Sequence, residues 1–130
     1  MTRKQAREEA FILIFEKAFN DISIEEILEI AREVRDLEPD EYIIGVFSGV
    51  FSNLEVIDSL ISENAKGWKI GRISKTALSV LRLAIYEIKF IDEIPVSVSI
   101  NEAVELCKKY ATQEEAAFVN GILSSVEKSS

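Results

Sequence analysis

The sequence predicts an all-α fold of about six to seven helices, on helical periodicity and few breakers. Three observations carry this reading. From Ser74 to Phe90 the chain has no Gly or Pro, and Leu, Ala, Ile, Val and Tyr fall on nearly every side. A helix that is apolar all round is a buried one, so this stretch is expected to be the central rod. Hydrophobic residues make up 48% of the chain, against two prolines and five glycines. That composition gives a sizeable core with few tight turns, which disfavours a sandwich or barrel. The other apolar residues recur at helical spacing behind cap signals. The length of 130 residues fits one domain, or two small subdomains sharing a core.

The first helix is expected over Thr2 to Phe19. Thr2 can cap it, and Phe11, Ile14, Phe15 and Ala18 form its stripe. Its start is basic: Arg3, Lys4 and Arg7 fall in the first seven residues, with no acid. Arg3 and Arg7 are four apart and share a face. Cations there oppose the macrodipole, at roughly 0.3–1 kcal/mol each. A second helix is expected over Ser23 to Val34, with a Ser23–Glu26 capping box. Its stripe is Ile24, Ile27, Leu28, Ala31 and Val34, and Glu25, Glu26, Glu29 and Glu33 cover the solvated side. A third helix is expected to place Pro39 at its first position and to run from Tyr42 to about Ser62. Gly45 and Gly49 are four apart, a spacing that suits close approach of a neighbouring helix.

Asn64 to Ile73 reads as a boundary, with Gly67, Gly71 and three cations around Trp68 and Ile70. The central helix follows. Pro95 disfavours helix at Ile94, so a break precedes a fifth helix that begins around Val96–Ser99 and ends at Tyr110. Val98, Ala103, Val104, Leu106 and Cys107 supply its apolar side. Thr112 and Glu115 form a second capping box for the last helix, through Phe118, Val119, Ile122, Leu123 and Val126.

The chemistry implied is recognition. There is no histidine, so the commonest general base and transition-metal ligand is missing. Cys107, within an apolar pattern, reads as a buried structural thiol. Gly67 to Gly71 lacks the preceding strand and following Lys-Ser/Thr of a phosphate loop. No catalytic residue, metal site or cofactor is expected. One cysteine, no leader and no run of about 18 apolar residues point to a cytoplasmic setting without a membrane. The net charge is −8, but unevenly spread. Nine acids lie from Asp21 to Glu41, while none lies between Glu63 and Glu87, where Lys66, Lys69, Arg72, Lys75 and Arg82 fall. Such local cation clusters beside Phe11, Phe15 and Trp68 suit RNA phosphates and unpaired bases.

Several motifs resemble those of the NusB transcription antitermination proteins. They are Leu81-Arg-Leu-Ala-Ile-Tyr-Glu-Ile88, Ile100-Asn-Glu-Ala-Val-Glu-Leu106, Phe118-Val-Asn-Gly-Ile-Leu123 and Ala6-Arg7-Glu8. The resemblance implies two small bundles sharing one core, dividing here as 1–64 and 65–130. It implies no enzymatic activity. It implies a factor that pairs with the ribosomal protein NusE and binds single-stranded boxA RNA of nascent ribosomal RNA transcripts. That complex would join RNA polymerase and suppress premature termination. By the same resemblance, Arg3, Lys4 and Arg7 map to the phosphate-binding start, and Phe15 and Phe118 to the RNA-facing aromatics. Arg72, Lys75, Ala77 and Arg82 map to the partner surface near the central helix. Arg82 also reads as a residue pairing with a neighbouring helix. The apolar Ala77-Leu78 pair suits a homodimer surface, which gives the alternative of a homodimeric interaction module with weak or lost RNA binding.

Overall fold

The computed structural model describes residues 1–129. Its order is α1 (Arg3–Phe19), α2 (Ile24–Arg35), α3 (Glu41–Ser52), α4 (Leu54–Asn64), a 3-10 turn (Ile70–Arg72), α5 (Lys75–Phe90), α6 (Val96–Tyr110) and α7 (Gln113–Lys128). No strand occurs among the described residues. As its all-round apolar surface requires, α5 is the hub and packs against α1, α3, α4, α6 and α7. Val80, Leu81, Leu83 and Ile85 are buried on successive sides of it. Each contributes about 1.5–3 kcal/mol relative to an exposed side chain. One continuous core draws residues from all seven helices.

The caps explain several boundaries. The basic start of α1 is held by a full capping box: Gln5 N–H donates to Thr2 Oγ1 at 3.1 Å, and Thr2 N–H to Gln5 Oε1 at 2.8 Å. This box offsets the unfavourable macrodipole contacts of Arg3 and Lys4. At α2, Ser23 Oγ accepts from Glu26 N–H at 3.1 Å. At α7, Thr112 Oγ1 accepts from Glu115 N–H at 3.1 Å. Neither glutamate returns a bond to the backbone of its cap residue; each carboxylate accepts a hydrogen bond from a hydroxyl instead.

Three expectations need correction. The third helix is two helices, α3 and α4, bent by 74°. Asn53 makes the break: its backbone N–H and its Nδ2 both donate to Gly49 O, at 3.0 and 2.9 Å. An Asn side chain competes in this way with the helical ladder. The bend turns Ile57 and Ile61 into the core, so an apolar rhythm persists through it. Pro39 precedes the helix rather than opening it, since Asp40 is the N-cap and accepts from Ile43 N–H at 2.8 Å. Val34 is 76% exposed. The chain reverses at Asp36 in the left-handed region (φ 53°), and Leu37 N–H donates back to Ala31 O at 3.2 Å. This left-handed closure buries Leu37 in place of Val34.

Candidate nucleic-acid interface

The basic start of α1 divides into two faces. Arg3 is exposed and lies over the Tyr42 ring, 4.4 Å from its centroid. Lys4 is exposed and reaches Glu102 of α6 at 3.1 Å. Arg7 is different, being 4% exposed. Its Nε donates to Glu87 Oε2 at 2.8 Å, and Nη1 lies 3.6 Å from Glu102. Glu87 is 1% exposed and also accepts from Tyr42 Oη and from Ser99 Oγ, the latter at 2.8 Å. Burial works against the Arg7 charge, yet the Glu87 hydrogen bond holds the guanidinium above its ordinary value. Burial first, then the adjacent Glu87 charge, pushes the Tyr42 phenol far up. Arg7 is thus the cross-brace of α1, α3, α5 and α6, and its guanidinium is not open to a phosphate as expected. The readable signal was Glu87 itself, the one acid of the central rod, which demands a donor once buried.

Along its α6-facing side, α1 carries an aromatic ridge. Ring centroids run from Tyr110 to Phe11 (5.1 Å), Phe11 to Phe15 (6.2 Å) and Phe15 to Phe19 (4.9 Å). Phe11 is core, whereas Phe15 is half-buried and Phe19 exposed. Lys75 Nζ, at the start of α5, stands 5.3 Å from the Phe19 centroid. Glu8 anchors the other end, accepting from Lys109 Nζ and Tyr110 Oη. These two bonds hold the Glu8 carboxyl below its ordinary range. The Glu8 hydrogen bond raises both Lys109 and Tyr110 in turn.

Next to Lys75, the start of α5 faces α7. Ser74 caps α5 by accepting from Ala77 N–H at 3.1 Å, and donates to Glu115. Phe118 is half-buried and meets Trp68 edge to face, with centroids 5.6 Å apart. Trp68, in the loop before α5, is 55% exposed. Arg72, Ser74, Trp68 and Phe118 line a cavity of about 270 Å³. Arg72 lines it, and Lys66, Lys69 and Lys75 of the same acid-free stretch are likewise exposed.

The expected partner residues separate. Arg72 and Lys75 face solvent. Ala77 is 1% exposed and touches the surface only as floor of that cavity. Leu78 is buried too, so this pair offers no apolar face to a second copy. Arg82 forms a bidentate bridge to Asp58 of α4, at 3.0 and 2.9 Å, and holds α4 on α5. Among the described residues, no group of three or more potential ligands could hold a metal ion. Nor, among those residues, is any single helix long and apolar enough to cross a membrane.

Comparison with known proteins places this arrangement. The NusB family profile matches residues 4–128. The chain is 45% identical to the transcription antitermination protein NusB of Ruminiclostridium cellulolyticum, covering 98% of this chain and 90% of that one. It is 47% identical to that of Natranaerobius thermophilus, covering 97% and 94%. Its fold is similar to a crystal structure of the antitermination factors NusB and NusE in complex with dsRNA, with a TM-score of 0.88 and 27% identity over 98% of this chain and 97% of that one. Profile, sequence and fold agree over nearly the whole length, and the chain belongs to the NusB family.

Proposed function

We propose that this protein is a transcription antitermination factor without catalytic activity of its own. It pairs in the cytoplasm with the ribosomal protein NusE and binds single-stranded boxA RNA of nascent ribosomal RNA transcripts. The pair then joins RNA polymerase and suppresses premature termination. The observation that carries this reading is the near-complete fold match to a NusB solved with NusE and RNA. The surface supports it. Arg3 and Lys4 are exposed cations for phosphates; half-buried Phe15 packs on Phe19, which Lys75 approaches, and half-buried Phe118 lines the hollow with Ser74. Residues 1–64 present the basic start, and residues 65–130 present Arg72 and Lys75 to NusE. Arg7 acts as the brace beneath this start, and Arg82 and Ala77 shape the partner surface from below.

The test is binding of a labelled boxA RNA, with and without NusE, at two salt concentrations. Salt-sensitive binding that NusE strengthens is expected. Arg3→Ala should flatten the log–log salt slope by about 0.7, one phosphate's share for a single strand. A homodimeric interaction module is the second reading, favoured by the net charge of −8 and the burial of Arg7. Absence of RNA binding even with NusE, together with a dimer in sedimentation, would establish that reading instead.

A further inference from the structure

The pair Trp68–Phe118 stands as a wall between two hollows. One is the cavity of about 270 Å³ lined by Arg72, Ser74 and Glu114. The other, of about 370 Å³, is lined by Lys66, Gly121 and Ser125. We propose that the first hollow takes one unpaired RNA base, stacked on Trp68, with Glu114 accepting from the N–H edge of that base. This deepens the RNA-binding reading above and rests on it.

Four observations converge on a base. Trp68 is more than half exposed, yet Phe118 holds its ring edge to face, so a rigid π-face is offered to solvent without a protein partner above it. The hollow lies below the roughly 300–1,000 Å³ usual for drug-sized ligands, a size for a single planar ring system. Its acids differ in availability. The Glu115 carboxylate is occupied by the Ser74 and Thr112 hydroxyls, whereas Glu114, exposed in the first turn of α7, has no hydrogen-bond partner among the described residues. A free carboxylate on the wall repels a phosphate and accepts N–H donors. The exposed cation Arg72 lines this hollow, and exposed Lys66 lines the neighbouring one beyond the Trp68–Phe118 wall, both in the stretch without acids. That polarity places the base inside and its flanking phosphates outside. Guanine fits best, since its N1–H and 2-amino group present two adjacent donors to one carboxylate.

Trp68 is the one tryptophan of the chain, so its emission reports the pocket directly. A fluorophore-labelled boxA RNA is titrated in the presence of a tryptophan-free NusE, reading RNA anisotropy and Trp68 emission together. Quenching that saturates at the RNA concentration where anisotropy saturates is expected. Trp68→Ala should weaken binding about 5- to 150-fold, the range for losing one base stack, with the salt slope unchanged. Trp68→Phe should restore part of it, and matched thermal melts confirm that both variants fold. Replacing each guanine in turn by inosine should weaken the wild type at one position, and Glu114→Ala should remove that sensitivity. Salt-sensitive binding with unchanged Trp68 emission and no effect of Trp68→Ala would overturn the pocket while leaving the antitermination reading standing. No binding by anisotropy would take down both. Quenching by NusE alone, before RNA is added, would assign the hollow to the protein partner and overturn the proposal.

Discussion

Replacing Glu87 with Leu tests the buried brace most sharply. The substitution keeps a similar volume but removes the acceptor shared by Arg7 Nε, Tyr42 Oη and Ser99 Oγ. Arg7 is then left 4% exposed, with only Glu102 at 3.6 Å. Leaving one partner of a buried pair uncompensated costs about 3–5 kcal/mol. Native domains hold only about 5–15 kcal/mol in total, so the variant should lose a fifth or more of its stability. For a chain of this size that corresponds to a fall in Tm of roughly 10–20 °C. The partner substitution Arg7→Met should be milder, since Glu87 keeps two hydroxyl donors. The double variant Arg7→Met/Glu87→Leu removes both charges and should regain most of the loss, because an apolar replacement of a buried pair is often near neutral. The assay is urea unfolding followed by helical circular dichroism, with m-values compared across all four proteins. A loss below about 1 kcal/mol for Glu87→Leu, or a double variant that equals the sum of the singles, would refute the brace. Under the proposed function, Arg7→Met should also leave the salt slope of RNA binding unchanged, which an open phosphate contact could not do.

The two glycines of α3 should behave oppositely. A Cβ at Gly49 would overlap the Tyr86 ring, whereas one at Gly45 meets open space; Gly49→Ala should cost about 1–3 kcal/mol and Gly45→Ala should gain about 0.5–1 kcal/mol, both read from urea midpoints. The Glu8–Lys109–Tyr110 cluster sets a pH window. Because folding lowers Glu8, its contribution is present above the ordinary carboxylate range and is lost as pH falls through the folded value; because folding raises Lys109 and Tyr110, theirs is present below their ordinary values and is lost as pH rises through the folded ones. Glu8→Gln should therefore flatten both limbs of a stability–pH profile, and an unchanged profile would contradict the linkage. Burial raises the Cys107 thiol to about 11, so native protein should resist thiol reagents at neutral pH and react only on unfolding; labelling of the folded protein at the rate of a free thiol would overturn its burial.

Some features were readable because the chain itself encodes them locally. The helical class, the hub role of Ser74–Phe90, the breaks at Asn64–Ile73 and Pro95, and the caps at Thr2, Ser23 and Thr112 follow from side-chain period and backbone hydrogen-bond demand. The third helix misled because its apolar rhythm continues through Asn53. Periodicity reports which residues are buried, not whether one axis or two buries them. Val34 misled for a related reason: the pattern places it on the stripe, but the chain reversal at Asp36 lets Leu37 close that end.

The site was readable by residue type and only partly by role. A basic, acid-free start marks Arg3, Lys4 and Arg7 alike, since a charge looks the same in sequence whether it faces water or a carboxylate. Glu87 lies 80 residues from Arg7, and nothing local links them. Likewise Asp58 claims Arg82 from another helix. Sequence by itself determined the helices, the apolar rod and the stock of cations and aromatics, because these depend on period and composition. Tertiary structure alone decided which cations are free, which are spent inside on carboxylates, and that Trp68 and Phe118 meet across a hollow. Burial and pairing are set by residues distant in the chain, and a charge's chemistry depends on which partner the fold brings to it.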